Sequence, residues 1–217
     1  MSCQYKSGSG NIITETRKAG NFQAISISGD FEVELRQAPE TEVVVEADDN
    51  LMEYIETKVR RDELVIRLDD LNVHDAHLKV FIAAPSVNAL KTSAGAEIVV
   101  RDMLKSGAAV RLKASSGSQI KTSVEAPEVR ADASSAGNIE ISGRTRDFYA
   151  ETSSGSTISA GELLSENTEA DASSGSTAKV HASVKLRAKA SSGANISYRG
   201  AAVVNKETSS GGSVEKE

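Results

Sequence analysis

The chain has 217 residues, 39% of them hydrophobic and 26% charged, with a formal net charge of −6 and a pI near 5.3. That balance belongs to a folded chain rather than a disordered one. It excludes the basic footprint of a nucleic-acid binder, and no apolar run approaches the roughly 18 residues of a membrane-spanning helix. Large core residues are scarce: aromatics are 4%, Trp is absent and there are 3 prolines, which suits a narrow core of thin layers.

The single cysteine, Cys3, rules out an intrachain disulfide. Followed by the polar, Gly/Ser-rich run from Gln4 to Asn11, it resembles the mature end of a bacterial lipoprotein, with a lipidated Cys and a flexible tether. An exposed thiol in a frayed terminus fits the same residues. Lipidation would place the chain in the cell envelope, at the outer membrane or in the periplasm; Met1 as the native start would leave it cytoplasmic.

Residues 1–20 therefore read as tether and turn. Residues 21–88 read as an N-terminal β-layer. Apolar and polar residues alternate in Phe22 to Ile27 and in Phe31 to Leu35, the mark of half-buried strands, with Ser28-Gly29-Asp30 as the turn between them. Val43 to Glu46 adds a strand. Asp48-Asp49-Asn50 offers a cap before one helical turn at Leu51 to Ile55. Thr57 to Arg60 and Glu63 to Leu68 form a hairpin turning at Arg61-Asp62, and His77 to Ala83 is a further strand that stops before Pro85.

Residues 89–217 carry a repeat. Ser-Ser-Gly recurs with its glycine at Gly117, Gly155, Gly175, Gly193 and Gly211, and degenerate copies place glycines at Gly95 and Gly137. Aligned on these glycines, the repeats are 22, 20, 18, 20, 18 and 18 residues long, a solenoid period. Repeats of this length hold three short strands and three corners. The expected fold is all-β: a right-handed single-stranded β-helix with an N-terminal β-layer at or near one end. Ile98, Ile120, Ile139, Ile158, Ala178, Ile196 and Val214 should stack inward, about 4.8 Å apart. Lys113, Asp132, Glu151, Asp171, Lys189 and Glu207 should stack outward beside Arg111, Arg130, Tyr149, Glu169 and Arg187. The final corner, at Gly211, leaves too little chain for another coil, so the C-terminal edge should stand open, guarded by charges such as Lys206.

The serines do not make a hydrolase, because a nucleophile needs a base in reach and none of His74, His77 and His181 belongs to a repeating motif. No Gly-x-Ser-x-Gly elbow occurs. Asp70, His74 and His77 supply donors for a metal, although His-x-x-His without a helix is a weak pattern and a solvated acidic loop fits equally. Glu151, Glu169 and Asp171 form an acidic cluster that could attract calcium or, as a carboxylate pair, cleave a polysaccharide. Tyr149 beside them is the outward aromatic in the middle of the stack, a candidate platform for a glycan. These four residues are the candidate binding site.

The Ser-Gly-Asp-Phe at residues 28–31, the Asp-Asp-Asn-Leu-Met-Glu-Tyr-Ile at 48–55 and the later Ser-Ser-Gly corners together resemble the head GIN domain, described as an auto-transporter adhesin head of unknown function and common in Bacteroidetes-type bacteria. The resemblance runs from about Phe22 to Val214. It implies an exported, non-enzymatic envelope protein and supplies no catalytic residues. On this reading the chain is an adhesin-like module needing no cofactor, with a surface partner such as a glycan or protein, no nucleic acid, membrane contact only through a lipid anchor, and a mainly monomeric state. The alternative is a carbohydrate-active enzyme on the same scaffold.

Overall fold

The computed structural model describes residues 4–69 and 71–217, so Cys3, the expected lipidation site, and Asp70, of the expected metal site, lie outside the described residues. The stretch expected as a tether carries two strands, β1 (Gln4–Ser7) and β2 (Ile12–Thr16). Three consecutive polar side chains explain the difference. The Asp48 carboxylate, 2% exposed, accepts the N–H groups of Gly10 and His77, both at 2.7 Å. Asp49 accepts the Asn11 side-chain amide at 2.8 Å and the Ser9 hydroxyl. Asn50 donates to the Ser7 carbonyl at 2.9 Å and accepts the Ser9 N–H at 3.1 Å. Side chains thus satisfy the polar link between β1 and β2, whose own strands pair elsewhere. The expected single turn does form, as a 3-10 turn at Met52–Tyr54, but it has no side-chain cap.

The alternating segments become β3 (Ala24–Ser28), β4 (Glu32–Gln37), β5 (Glu42–Asp48), β6 (Ile55–Arg60), β7 (Glu63–Leu68), β8 (Leu71–His74) and β9 (Leu78–Ala84). The β6–β7 hairpin turns through Arg61 and Asp62, at φ 50° and 65°, the geometry that lets a two-residue loop follow strand twist. β3 lies parallel to β7, and β4 parallel to β9. β5 runs antiparallel to both β9 and β2, so antiparallel strands close this end of the stack.

β10 (Ala89–Ser93) and β11 (Glu97–Lys105) stack in parallel on β3 and β4, which joins the N-terminal strands and the repeats in one sheet. The coils then continue through β12 (Val110–Ser115), β13 (Gln119–Ser134), β14 (Asn138–Thr152), β15 (Thr157–Ala172), β16 (Thr177–His181), β17 (Lys185–Ala190), β18 (Asn195–Arg199), β19 (Val203–Thr208) and β20 (Ser213–Lys216). The result is a β-solenoid of about six turns.

Register corrects the alignment of one corner. Ser115 pairs with Ser134 and Gln119 with Asn138, so Ala136, not Gly137, occupies the place of Gly117. Ala136 adopts φ 61° and its N–H reaches the Ser154 carbonyl at 3.1 Å, as the Gly117 N–H reaches Ser135 at 3.1 Å. Equivalent residues 95, 117, 136, 155, 175, 193 and 211 then give coils of 22, 19, 19, 20, 18 and 18 residues. The hydroxyl that holds a corner lies outside the Ser-Ser pair. The second serine of each pair points outward in left-handed backbone, Ser154 at φ 54°. In three corners the working hydroxyl belongs to the residue after the glycine, Ser118, Ser156 or Ser176: buried Ser156 Oγ accepts the Ser153 N–H at 3.1 Å and donates to the Ala133 carbonyl at 2.7 Å. Ser156→Ala should therefore cost about 1 kcal/mol by removing both hydroxyl bonds, although the Ser153 N–H still reaches the Ala133 carbonyl at 3.0 Å. Ser154→Ala, a residue already present at that place as Ala94, should stay within about 0.5 kcal/mol. Urea unfolding of the two variants checks the contrast.

Inside, Ile98, Ile120, Ile139, Ile158, Ala178 and Ile196 stack at 0% exposure, with Val33 and Val80 extending the column below and Val214 closing it at 6%. The neighbouring column runs Leu90, Leu112, Ala131, Ala150, Ala170 and Ala188, then ends in exposed Lys206. Among the described residues β19 pairs only with β17 and β20 only with β18, which leaves the expected open edge. The Lys206 amine reaches water there because no coil covers it.

Candidate binding face

Strand pleat turns every second residue of β12 to β19 away from the core, and parallel register places those residues in columns. Lys113, Asp132, Glu151, Asp171, Lys189 and Glu207 form one column. Arg111, Arg130, Tyr149, Glu169 and Arg187 form the next. Tyr149, Glu151, Glu169 and Asp171 thus come together around an open hollow of about 520 Å³, as the sequence placed them.

The charges divide into zones. On the N-terminal side Lys113 pairs with Asp132 at 2.7 Å, and Arg130, held by Glu128 at 2.6 Å, lies over the Tyr149 ring at 4.2 Å from its centre. On the C-terminal side Arg187 pairs with Glu169 at 2.9 Å. Between them Glu151 and Asp171 have no ion pair among the described residues. Desolvation, then the Glu169 carboxylate, pushes the Asp171 carboxyl up, against the pull of Arg187 and Lys189. The centre of the face is therefore under-neutralised acid with cations on both flanks, suited to a partner that brings hydrogen-bond donors or positive charge.

The metal reading finds less. His74 Nε2 meets the Ser7 hydroxyl at 2.7 Å and His77 Nε2 meets Glu46 Oε1 at 2.7 Å, in separate surroundings. The reason is topological: β8 pairs with β1 in a two-stranded sheet, whereas β9 belongs to the main sheet. Among the described residues no three His, Cys, Asp or Glu side chains gather as a metal would require. Inside the solenoid the Ser165 hydroxyl donates to the His181 carbonyl, while the ring Nδ1 accepts the Ser165 backbone N–H at 3.4 Å.

Phe81 was missed. It is 36% exposed on the outer face of β9, with the Lys79 ammonium 5.0 Å from its ring centre. The alternation His77, Lys79, Phe81 was the signal that could have revealed it. Nearby, Arg101 and then Lys79 hold the Glu34 carboxyl at about 2, against an ordinary 4.5. Lys58 and then Arg67 do the same for Glu56, also to about 2. A depressed carboxyl stabilises the fold fully above its unfolded value and loses that contribution as pH falls toward the folded one. The melting temperature should accordingly drop between pH 4.5 and about 2, and Glu34→Gln should drop less over that window. Equal profiles would remove Glu34 from the account.

No helix of the described residues is long and apolar enough to cross a membrane. No curated protein matches the chain. Among solved structures it is similar to a "putative adhesin" from Bacteroides fragilis, at TM-score 0.89 and 15% identity over 98% of this chain and 100% of that one. It is also similar to a "putative lipid binding protein" from Parabacteroides distasonis, at TM-score 0.80 and 18% identity over 99% and 100%. A "putative adhesin" from Parabacteroides merdae aligns at TM-score 0.70 and 16% identity over 99% of each chain. At such identities the likeness speaks for the fold. The sequence itself goes further: residues 21–202 match the family described as "Putative auto-transporter adhesin, head GIN domain", and the chain belongs to that family.

Proposed function

We propose that the chain is a rigid, non-enzymatic interaction module of the cell envelope that engages a surface partner through the face of Tyr149, Glu151, Glu169 and Asp171. The observation that carries this reading is the column register, which fixes a zone of acid between two cationic flanks on a surface that cannot flex strand by strand. The backbone beneath each outward side chain is held by ladder bonds on both sides of its strand, so little backbone ordering remains to be lost on binding. Adhesin-like family membership supports the surface role. The hollow is open to solvent, the family is described as adhesin-like, and nothing favours the polysaccharide-cleaving alternative.

The test is retention of fluorescently labelled chain on bacterial and epithelial cells. A Tyr149→Ala, Glu151→Lys, Asp171→Lys triple variant should fold as the parent does, because all three side chains point outward, and should lose at least tenfold in saturable retention. Equal retention of parent and variant would refute the assignment of the face.

A further inference from the structure

A second concavity lies on a different wall of the solenoid, and its origin is visible in the coil lengths. The two 19-residue coils, which carry β13 and β14, sit between coils of 22 and 20 residues. β11 spends four residue steps, Val99 to Met103, where β13 spends two, Lys121 to Ser123. β15 spends three, Ser159 to Glu162, where β14 spends two, Glu140 to Ser142. Such bulges bend the strand that carries them and re-aim its side chains. Two bulged coils flanking two regular ones leave a groove of about 540 Å³ between them.

The lining has a definite chemistry. Three cations, Lys121, Lys179 and Arg199, face three anions, Glu140, Glu162 and Glu217. Lys121 and Glu140 meet at 3.0 Å, and Arg199 bridges Glu162 at 2.9 Å and Glu217 at 2.7 Å, so these polar groups are positioned in advance. Ser123, Ser142 and Ser159 add hydroxyls, and Val99 is the half-exposed aliphatic side chain beside them, Val100 and Ile141 being buried beneath at 7% and 1% exposure. The floor strands are bonded to neighbours on both sides and offer no free edge to an extended peptide. A strongly anionic ligand would meet three carboxylates and a strongly cationic one three cations. A neutral polyol meets neither obstacle, because each of its hydroxyls can both donate to a carboxylate and accept from an ammonium or guanidinium, while a C–H face rests on Val99.

We propose that this groove is a binding site for a neutral oligosaccharide. The proposal goes beyond the binding face described above and involves none of its residues. The test is calorimetric titration of the full chain with neutral tetrasaccharides of glucose, galactose, mannose and N-acetylglucosamine, beside a uronate tetrasaccharide and an oligolysine. At least one neutral sugar should bind saturably. Ser142→Trp, which fills the floor, and the exposed pair Glu162→Ala with Lys179→Ala should each weaken it at least tenfold at unchanged melting temperature. If Ser142→Trp does not fold, the exposed pair decides. The Tyr149, Glu151, Asp171 triple variant should bind sugar as the parent does, which separates failure of this site from failure of the face. Absence of binding at millimolar sugar, binding that survives the exposed pair, or tighter binding of uronate or oligolysine would each overturn the proposal.

Discussion

Ile139→Ala should destabilise the chain by about 2–5 kcal/mol, the range for emptying a fully buried aliphatic site. Ile139 is 0% exposed and is paired with Ile120 below and Ile158 above. The upper half of that range is expected, because the site cannot collapse. Its coil is held to both neighbours by backbone hydrogen bonds, so the flanking isoleucines cannot move in without breaking the ladder. Ile139→Val should cost only about 0.5–1.5 kcal/mol. Urea unfolding of the two variants measures both, and near-equal losses would mean that the column is looser than its burial implies.

The second large effect concerns Gly143. Its φ is +111°, and an added Cβ would lie 2.1 Å from the Val124 carbonyl oxygen and 2.9 Å from the Val124 nitrogen. Both are backbone atoms of the adjacent coil and cannot swing aside as a side chain could. Gly143→Ala therefore combines backbone strain of about 1–3 kcal/mol with overpacking of about 1–3 kcal/mol. Gly155→Ala isolates the first contribution: its φ is +69°, but nothing lies within 4 Å of the added carbon. The expected order is Gly143→Ala well below Gly155→Ala in stability, by thermal or urea unfolding, with Gly155→Ala losing about 1–2 kcal/mol. Equal losses would show that strain alone, without the contact, sets the requirement for glycine.

What could be read from the sequence follows from the physics of a parallel stack. Period-two alternation marks each strand locally, and because successive coils pair in register, equivalent residues line up without knowledge of distant contacts. The column from Lys113 to Glu207 and the ladder from Ile98 to Val214 were legible for that reason. Three features were not. The corner at residues 134–137 was misaligned because a glycine drew the alignment, whereas the left-handed position is filled by Ala136. Identity of a turn residue is weaker evidence than its torsion. The N-terminal strands were hidden because the groups that hold them, Asp48, Asp49 and Asn50, lie 38 to 43 residues away and look locally like a helix cap. The groove was invisible because a bulge adds residues to a strand without disturbing its composition, so it emerges only when coil lengths are compared with register.

The central claim is that Glu151 and Asp171 sit at the contact with a surface partner, and carboxyl footprinting of the cell-bound chain tests it most directly. Both residues are exposed in the free chain, as are Glu32 and Glu40 at the far end. With labelled peptides quantified by mass spectrometry before and after binding to target cells, modification at Glu151 and Asp171 should fall severalfold while Glu32 and Glu40 remain unchanged. Unchanged labelling at Glu151 and Asp171, with protection elsewhere on the solenoid, would contradict the account.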